Sequence, residues 1–126
     1  MGRFQVDYTG RPYWNAMLNA SLCKFFILRA VCREPMHGYG VIRRVAELSG
    51  DLCVPTEGTV YPVLREFEQC GCVRSRTQMV RGRERVVYAA TPKGRKALRA
   101  GMDVWQRALA HLRPAMEEPK AGTRRA

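Results

Sequence analysis

The chain has 126 residues, 46% of them hydrophobic, and 22 Lys and Arg against 11 Asp and Glu give a formal net charge of +11. That length supports one domain with room for an added oligomerisation helix, and the hydrophobic content excludes a largely disordered chain. The charge favours a polyanionic partner, nucleic acid first and an anionic membrane surface second.

Among the cations Arg outnumbers Lys, and its planar fork suits bidentate contact with phosphate and guanine. No run of 18 apolar residues occurs, so no transmembrane helix is expected. Met1 to Tyr13 lacks the apolar centre of a secretory signal, and a cytoplasmic location is the expectation. The five cysteines fit no small disulfide framework and read as reduced thiols.

Residues 1–12 read as an N-terminal arm, partly ordered by packing of Phe4 and Tyr8. Pro12 suits a first helical turn. From Tyr13 to Cys32, Trp14, Leu18, Leu22, Phe25, Leu28 and Val31 recur at steps of three and four, the mark of an amphipathic helix that Pro35 cannot continue. Met36-His37-Gly38-Tyr39-Gly40 forms a tight entry into a second helix. Ile42, Val45 and Leu48 of that helix point inward, and Gly50 ends it.

The stretch Thr56 to Gln69 reads as a third helix with two faces, Thr56 being its N-cap. Val60, Val63, Leu64 and Phe67 share an apolar stripe. Gly58, Tyr61, Pro62 and Arg65 share the other side, which offers a phenol, a guanidinium and little bulk near its start. Pro62 conflicts with a helix this long, so the helix bends there or its regular part begins nearer Thr59.

Cys70-Gly71-Cys72 ends the helix. Val73–Val80 and Arg85–Ala90 then read as two strands joined by Arg81-Gly82-Arg83-Glu84. Arg74, Arg76, Arg81, Arg83 and Arg85 face the single acid Glu84 in this hairpin. Thr91-Pro92 is an N-cap with Pro at the first helical position. A last helix, Lys93 to about Leu112, carries Leu98, Met102, Trp105, Leu109 and Leu112 at alternating steps of four and three, an a/d seam. Pro114 should end it. The predicted organisation is a winged helix-turn-helix over 13–92, a dimerisation helix over 93–113 and a flexible tail over 114–126. The fold class is mainly α with a small β-hairpin.

On these residues the chain resembles the PadR family of bacterial transcriptional regulators. The resemblance is carried by Glu34-Pro35-Met36-His37-Gly38-Tyr39, by Pro55 to Leu64, by Gly82-Arg83 with Val87-Tyr88, and by Thr91-Pro92-Lys93-Gly94. It spans roughly residues 18–112. It implies a homodimeric winged helix-turn-helix repressor whose C-terminal helix forms much of the dimer interface. It also implies that Thr59, Tyr61 and Arg65 lie on the DNA-facing helix, and that a proline at position 62 is a family feature. Cys70 and Cys72 depart from the residues common there. The family's effectors, where known, include phenolic acids and hydrophobic drugs.

Residue chemistry assigns further roles. Arg65 suits a guanine edge, while Thr59 and Tyr61 suit phosphates or a thymine methyl. Tyr39 and the amides of Gly38–Gly40 stand at a helix N-terminus, a phosphate site, unless Tyr39 packs under its own helix. Arg81, Arg83 and Arg85 suit phosphate or minor-groove contact. Trp14, Leu98, Met102, Trp105 and Leu109 form a dimer core or, alternatively, line a pocket for a flat aromatic ligand. His37 has no second ligand at metal spacing and reads as structural. Cys70 and Cys72, joined by Cys53, would suit a thiophilic metal or an oxidant, unless Cys72 is simply buried at the start of a strand.

No cofactor is required, and no constellation supports an enzyme. The leading expectation is a dimeric repressor released from its operator by a small aromatic molecule, or by a thiophilic metal or oxidant. The alternative is an effector-independent DNA-binding module such as a plasmid or phage partition or copy-control factor. A double-stranded DNA partner is expected and a membrane is not.

Overall fold

The computed structural model describes residues 5–118; Phe4 and the tail beyond 118 lie outside them. The order is α1 (Arg11–Arg33), β1 (Met36–His37), α2 (Gly38–Leu48), α3 (Glu57–Gln69), β2 (Val73–Val80), β3 (Arg83–Ala90) and α4 (Pro92–Met116). The three strands form one antiparallel sheet in the order β1-β3-β2. This is a winged helix-turn-helix with a long C-terminal helix.

The core lies where α1, α2, α3 and the base of the sheet meet. Ile27, Val31, Val41, Val45, Val60 and Leu64 are its largest fully enclosed members, with Ala30 of α1 and Cys53 from the connector before α3. Val60 and Leu64 bear out the apolar stripe expected of α3, and Val63 and Phe67 pack at its margin. On α1 the stripe is displaced from expectation. Cys23, Ile27, Leu28, Ala30 and Val31 enter the core, whereas Trp14 is exposed and Leu18 and Phe25 are half-buried. Phe25 instead meets α4, at Gly101. The helix is therefore apolar on two sides. An 18-residue window of α1 reaches a mean hydropathy of 1.2, so by length and composition it could cross a membrane. That corrects the expectation from unbroken apolar runs, because a mean tolerates interspersed polar residues. Here the C-terminal half of the helix is the protein core.

Boundaries differ in three places. The hairpin turn is two residues long, not four: Arg81 and Gly82 take φ of 53° and 76°, and β3 begins at Arg83. Positive φ at both central positions is the turn whose twist matches paired strands. β1, too short for a periodic pattern, pairs Met36 with Tyr88 and His37 with Val87. Helix α4 does not stop at Pro114 but runs to Met116. A proline this close to the end removes only one of the last hydrogen bonds. Pro62 likewise lies inside α3, which begins at Glu57. Pro62 and Gly58 are exposed, so the carbonyl left without its partner faces water, where its loss costs least.

The end of α3 is held by backbone. Gly71 at φ 80° lets the Cys72 amide donate to Phe67 O (2.8 Å) and its own amide to Glu68 O (3.0 Å), closing the helix in a Schellman motif. Three carbonyls then face the start of α4. Cys70 O accepts from Lys93 Nζ (2.7 Å), Gly71 O from Thr91 Oγ1 (2.6 Å) and Cys72 O from Thr91 N (3.0 Å). Thr91 Oγ1 also caps α4 by accepting from Gly94 N (3.1 Å), and Arg95 Nη1 donates to Cys32 O at the end of α1 (2.8 Å). A Cβ at position 94 would overlap the carbonyl oxygen of Cys72. Gly94→Ala should therefore pry α4 from this seat and cost about 3 kcal/mol or more, since the clash is with backbone. Urea unfolding would check it; a loss below about 0.5 kcal/mol would show that α4 is seated otherwise.

Candidate nucleic-acid interface

The outer face of α3 carries Thr59, Pro62 and Arg65, all exposed. Thr56 precedes the helix, but its side chain makes no capping hydrogen bond; its Oγ1 lies 3.5 Å from Thr59 Oγ1. Arg65 enters no ion pair among the described residues. Two of the three acids of α3 are engaged elsewhere, Glu57 in the first turn being the third: Glu66 pairs with Lys24 of α1 at 2.5 Å, and Glu68 accepts from Ser75 Oγ of β2 at 2.5 Å. These exposed contacts tie α3 to its neighbours more through geometry than through energy.

Tyr61 is half-buried rather than a free member of the outer face. Its ring occupies the space where a side chain at Gly38 would stand, so a Cβ there would overlap Cε1 of the ring. The glycine that opens α2 is thus a seat for the α3 tyrosine. The sequence shows the glycine but not what fills its missing Cβ. Next to it, burial pushes the Tyr88 hydroxyl up, Tyr61 and Glu68 add to the rise and Arg65 opposes it. Tyr88 accordingly remains a neutral phenol. Tyr39 is exposed at 56%, which settles against packing under its own helix.

A groove of about 350 Å³ lies between the start of α2 and the part of β3 beyond its pairing with β1, lined by His37, Tyr39, Tyr61, Arg83, Glu84 and Arg85. The structure thereby brings together the predicted Tyr39, Tyr61, Arg83 and Arg85, with Arg81 at the tip of the wing. His37, read as structural, does serve as part of β1, yet it also borders this groove. No acid pairs with the wing arginines among the described residues. Arginines so arranged present unpaired donors to phosphate oxygens.

The other predicted groups are not assembled within one chain. Trp14 donates its Nε1–H to Tyr8 O (2.9 Å) and stacks edge-on with Tyr13, and no ring contact joins it to Trp105. On α4, Leu98, Met102 and Trp105 are half-buried and Leu98 reaches the core, but Leu109 is exposed. Cys70 is exposed, whereas Cys72 and Cys53 are buried. No group of three or more His, Cys, Asp or Glu that could hold a metal occurs among the described residues. The cysteine trio is thus not brought together, because the Schellman turn sends Cys72 inward and leaves Cys70 outside. Burial pushes the Cys23, Cys32 and Cys53 thiols up, which makes them poor nucleophiles at neutral pH.

Gly38→Ala should cost about 2 kcal/mol by displacing Tyr61, and Tyr61→Ala in the same chain should recover most of it. A double-mutant cycle by urea unfolding would check the pair; strictly additive losses would mean that the two do not share this space.

The model of the transcriptional regulator PadR-like family matches residues 27–100. The chain is 37% identical over 75 residues to the transcriptional regulator Rv3488 of Mycobacterium tuberculosis, covering 60% of this chain and 67% of that protein. It superposes on a PadR family regulator from Eggerthella lenta with a TM-score of 0.73 at 21% identity, covering 85% and 92% of the two chains. The Bacillus subtilis PadR structure, solved with operator DNA, aligns with a TM-score of 0.59 at 22% identity, over 64% of this chain and 46% of that one. With the family match extending from the middle of α1 into α4 and the winged fold shared throughout, the chain belongs to the PadR-like family of transcriptional regulators.

Proposed function

We propose that the chain is a sequence-specific, dimeric DNA-binding repressor that an effector releases from its operator. One observation carries the DNA reading: the outer face of α3 continues, across the Tyr39–Tyr61 groove, into a wing whose arginines have no acidic partner among the described residues. In this reading α3 enters the major groove, with Arg65 on a base edge and Thr59 and Tyr61 on the backbone. Tyr39, Arg81, Arg83 and Arg85 hold phosphates. The likeness in fold to the Bacillus subtilis regulator solved with operator DNA supports DNA as the partner.

Dimerisation rests on α4. Val104, Leu109, Leu112 and Met116 are exposed apolar side chains on one helix, and Trp14 and Met17 add to them at the start of α1. Burying such a set against a second copy supplies the driving force. A flat aromatic effector lodged between Trp14 and Trp105 faces would change the angle of α4 to α1 and with it the separation of the two recognition helices. Release by a thiophilic metal or an oxidant would rest on Cys70 and need a second chain to complete the ligand set.

Arg65→Ala should weaken binding to the selected operator by about 1–3 kcal/mol and relax preference at one base pair. Equal loss on every sequence would demote Arg65 to a phosphate contact. Wild-type affinity should fall steeply as salt rises, and a flat response would sink the role given to the wing. Leu109→Glu combined with Leu112→Glu should sediment as a monomer and lose operator binding; a dimer that survives would place the interface elsewhere.

A further inference from the structure

The core-facing stripe of α1 runs on past the core. Ile27 and Cys23 are buried in one cluster with Val60 and Leu64 of α3. Toward the start of α1 the same stripe continues through Ala20, Asn19 and Ala16, residues that helical spacing places within a quarter turn or so of Ile27 and Cys23. Their short side chains do not reach the chain opposite, where Val54 is 59% exposed. A groove of about 460 Å³ is left between the two, with Asn19, Ala20 and Cys23 on the α1 wall and Val54, Thr59 and Val63 on the other. That is the size of a small-molecule site. Trp14 and Trp105 do not border it.

The polar groups of the groove differ in how well they are satisfied. Lys24, at its margin, pairs with Glu66. The hydroxyls of Thr56 and Thr59 lie 3.5 Å apart and engage each other. Asn19 has no such arrangement. Its Oδ1 is shut from solvent and accepts no hydrogen bond, and among the described residues it is the single buried side-chain oxygen or nitrogen left so. Folded proteins seldom leave a buried acceptor unpaired. The groove therefore offers apolar walls of Ala, Val and Cys, no unpaired charge, and one acceptor in want of a donor.

We propose that this groove binds a small, uncharged, apolar molecule carrying one N–H or O–H donor, which Asn19 Oδ1 accepts, and that its occupancy weakens DNA binding through the first turn of α3. Thr59 lies on the groove wall and on the outer face of α3 alike. The carbonyl of Thr56 accepts from Thr59 N (3.0 Å) and Val60 N (2.9 Å), so a ligand that displaces Val54 to Thr56 displaces the start of that helix with them. The effect on DNA rests on the DNA-binding reading given above; the binding itself does not.

Indole and 1-methylindole, nearly alike in shape, differ in the N–H donor and serve as the probes. Calorimetry on the full chain should show saturable binding of indole, with 1-methylindole weaker by about fivefold. Asn19→Leu, close in size but without the acceptor, should bind the two alike. Ala20 is exposed, and Ala20→Phe should fill the groove and lose both while melting as wild type does. Were the amide of Asn19 merely hydrated, wild-type protein would bind both probes equally and the proposal would fall. It falls too if neither binds in the millimolar range, or if Asn19→Leu keeps the preference for indole. A second copy seated in the groove would overturn it as well, and would show as an Ala20→Phe chain that sediments as a monomer where wild type is a dimer. On a duplex that wild-type protein selects from a random pool, saturating indole should weaken binding by about fivefold or more. Indole that binds and leaves that affinity unchanged removes the regulatory role. A chain that selects no duplex fails the DNA-binding reading alone, and calorimetry still decides the site.

Discussion

The first turn of α4 takes up the carbonyl ends of two other helices. Thr91 and Lys93 receive the three carbonyls of Cys70, Gly71 and Cys72 just past α3, and Arg95 receives that of Cys32 at the end of α1. A helix C-terminus carries partial negative charge and unsatisfied acceptors, so cations and amides from α4 suit both ends. The absence of a side chain at Gly94 lets the backbones close to contact. The orientation of α3 and the direction in which α4 leaves the domain are consequently set at one junction. Any torque applied along α4 reaches α3 through these hydrogen bonds, not through a compliant loop.

At its other end α3 is fixed by a side chain. Tyr61 fills the space over Gly38 and lies against Tyr88 of the sheet, so α2, α3 and β3 are locked in mutual register. Charge is kept to the outside: among the described residues no charged side chain is buried, and the ion pairs present are exposed except for the half-buried Arg44. Stability then rests on a small core of Val, Ile, Leu, Ala and Cys. The cationic surface is left free for association, where salt governs its strength.

Much of this was legible in the residues because it obeys periodicity. The apolar stripe of α3, the two strands around Gly82, the Thr91-Pro92 start and the family motifs each follow from spacing or local conformational preference. Three features were not legible, for different reasons. β1 has two residues and no period to display. The Cys70-Gly71-Cys72 run attracts notice for its sulfurs, whereas its structural work is done by its carbonyls, which are the same in every residue type. Tyr61 belongs by spacing to the outer face, and only the missing Cβ of Gly38, distant in sequence, draws it half inward. For the interface, the cations could be read from composition, but the groove that Arg83 and Arg85 border required the fold.

Helix α4 buries only Gly94 completely within its own chain, while Leu109, Leu112 and Met116 stand exposed along one stripe of it. A helix of 25 residues with so little support from its own domain gains its tertiary stabilisation from whatever covers that stripe. In the dimer proposed above that cover is a second copy, and mass action would then link folding to abundance. As copies become scarce, the distal turns of α4 would lose their cover and fray first, while the winged domain, held by its own core, would persist. The number of molecules in solution would thus become a variable in the folding equilibrium of the helix proposed to join them.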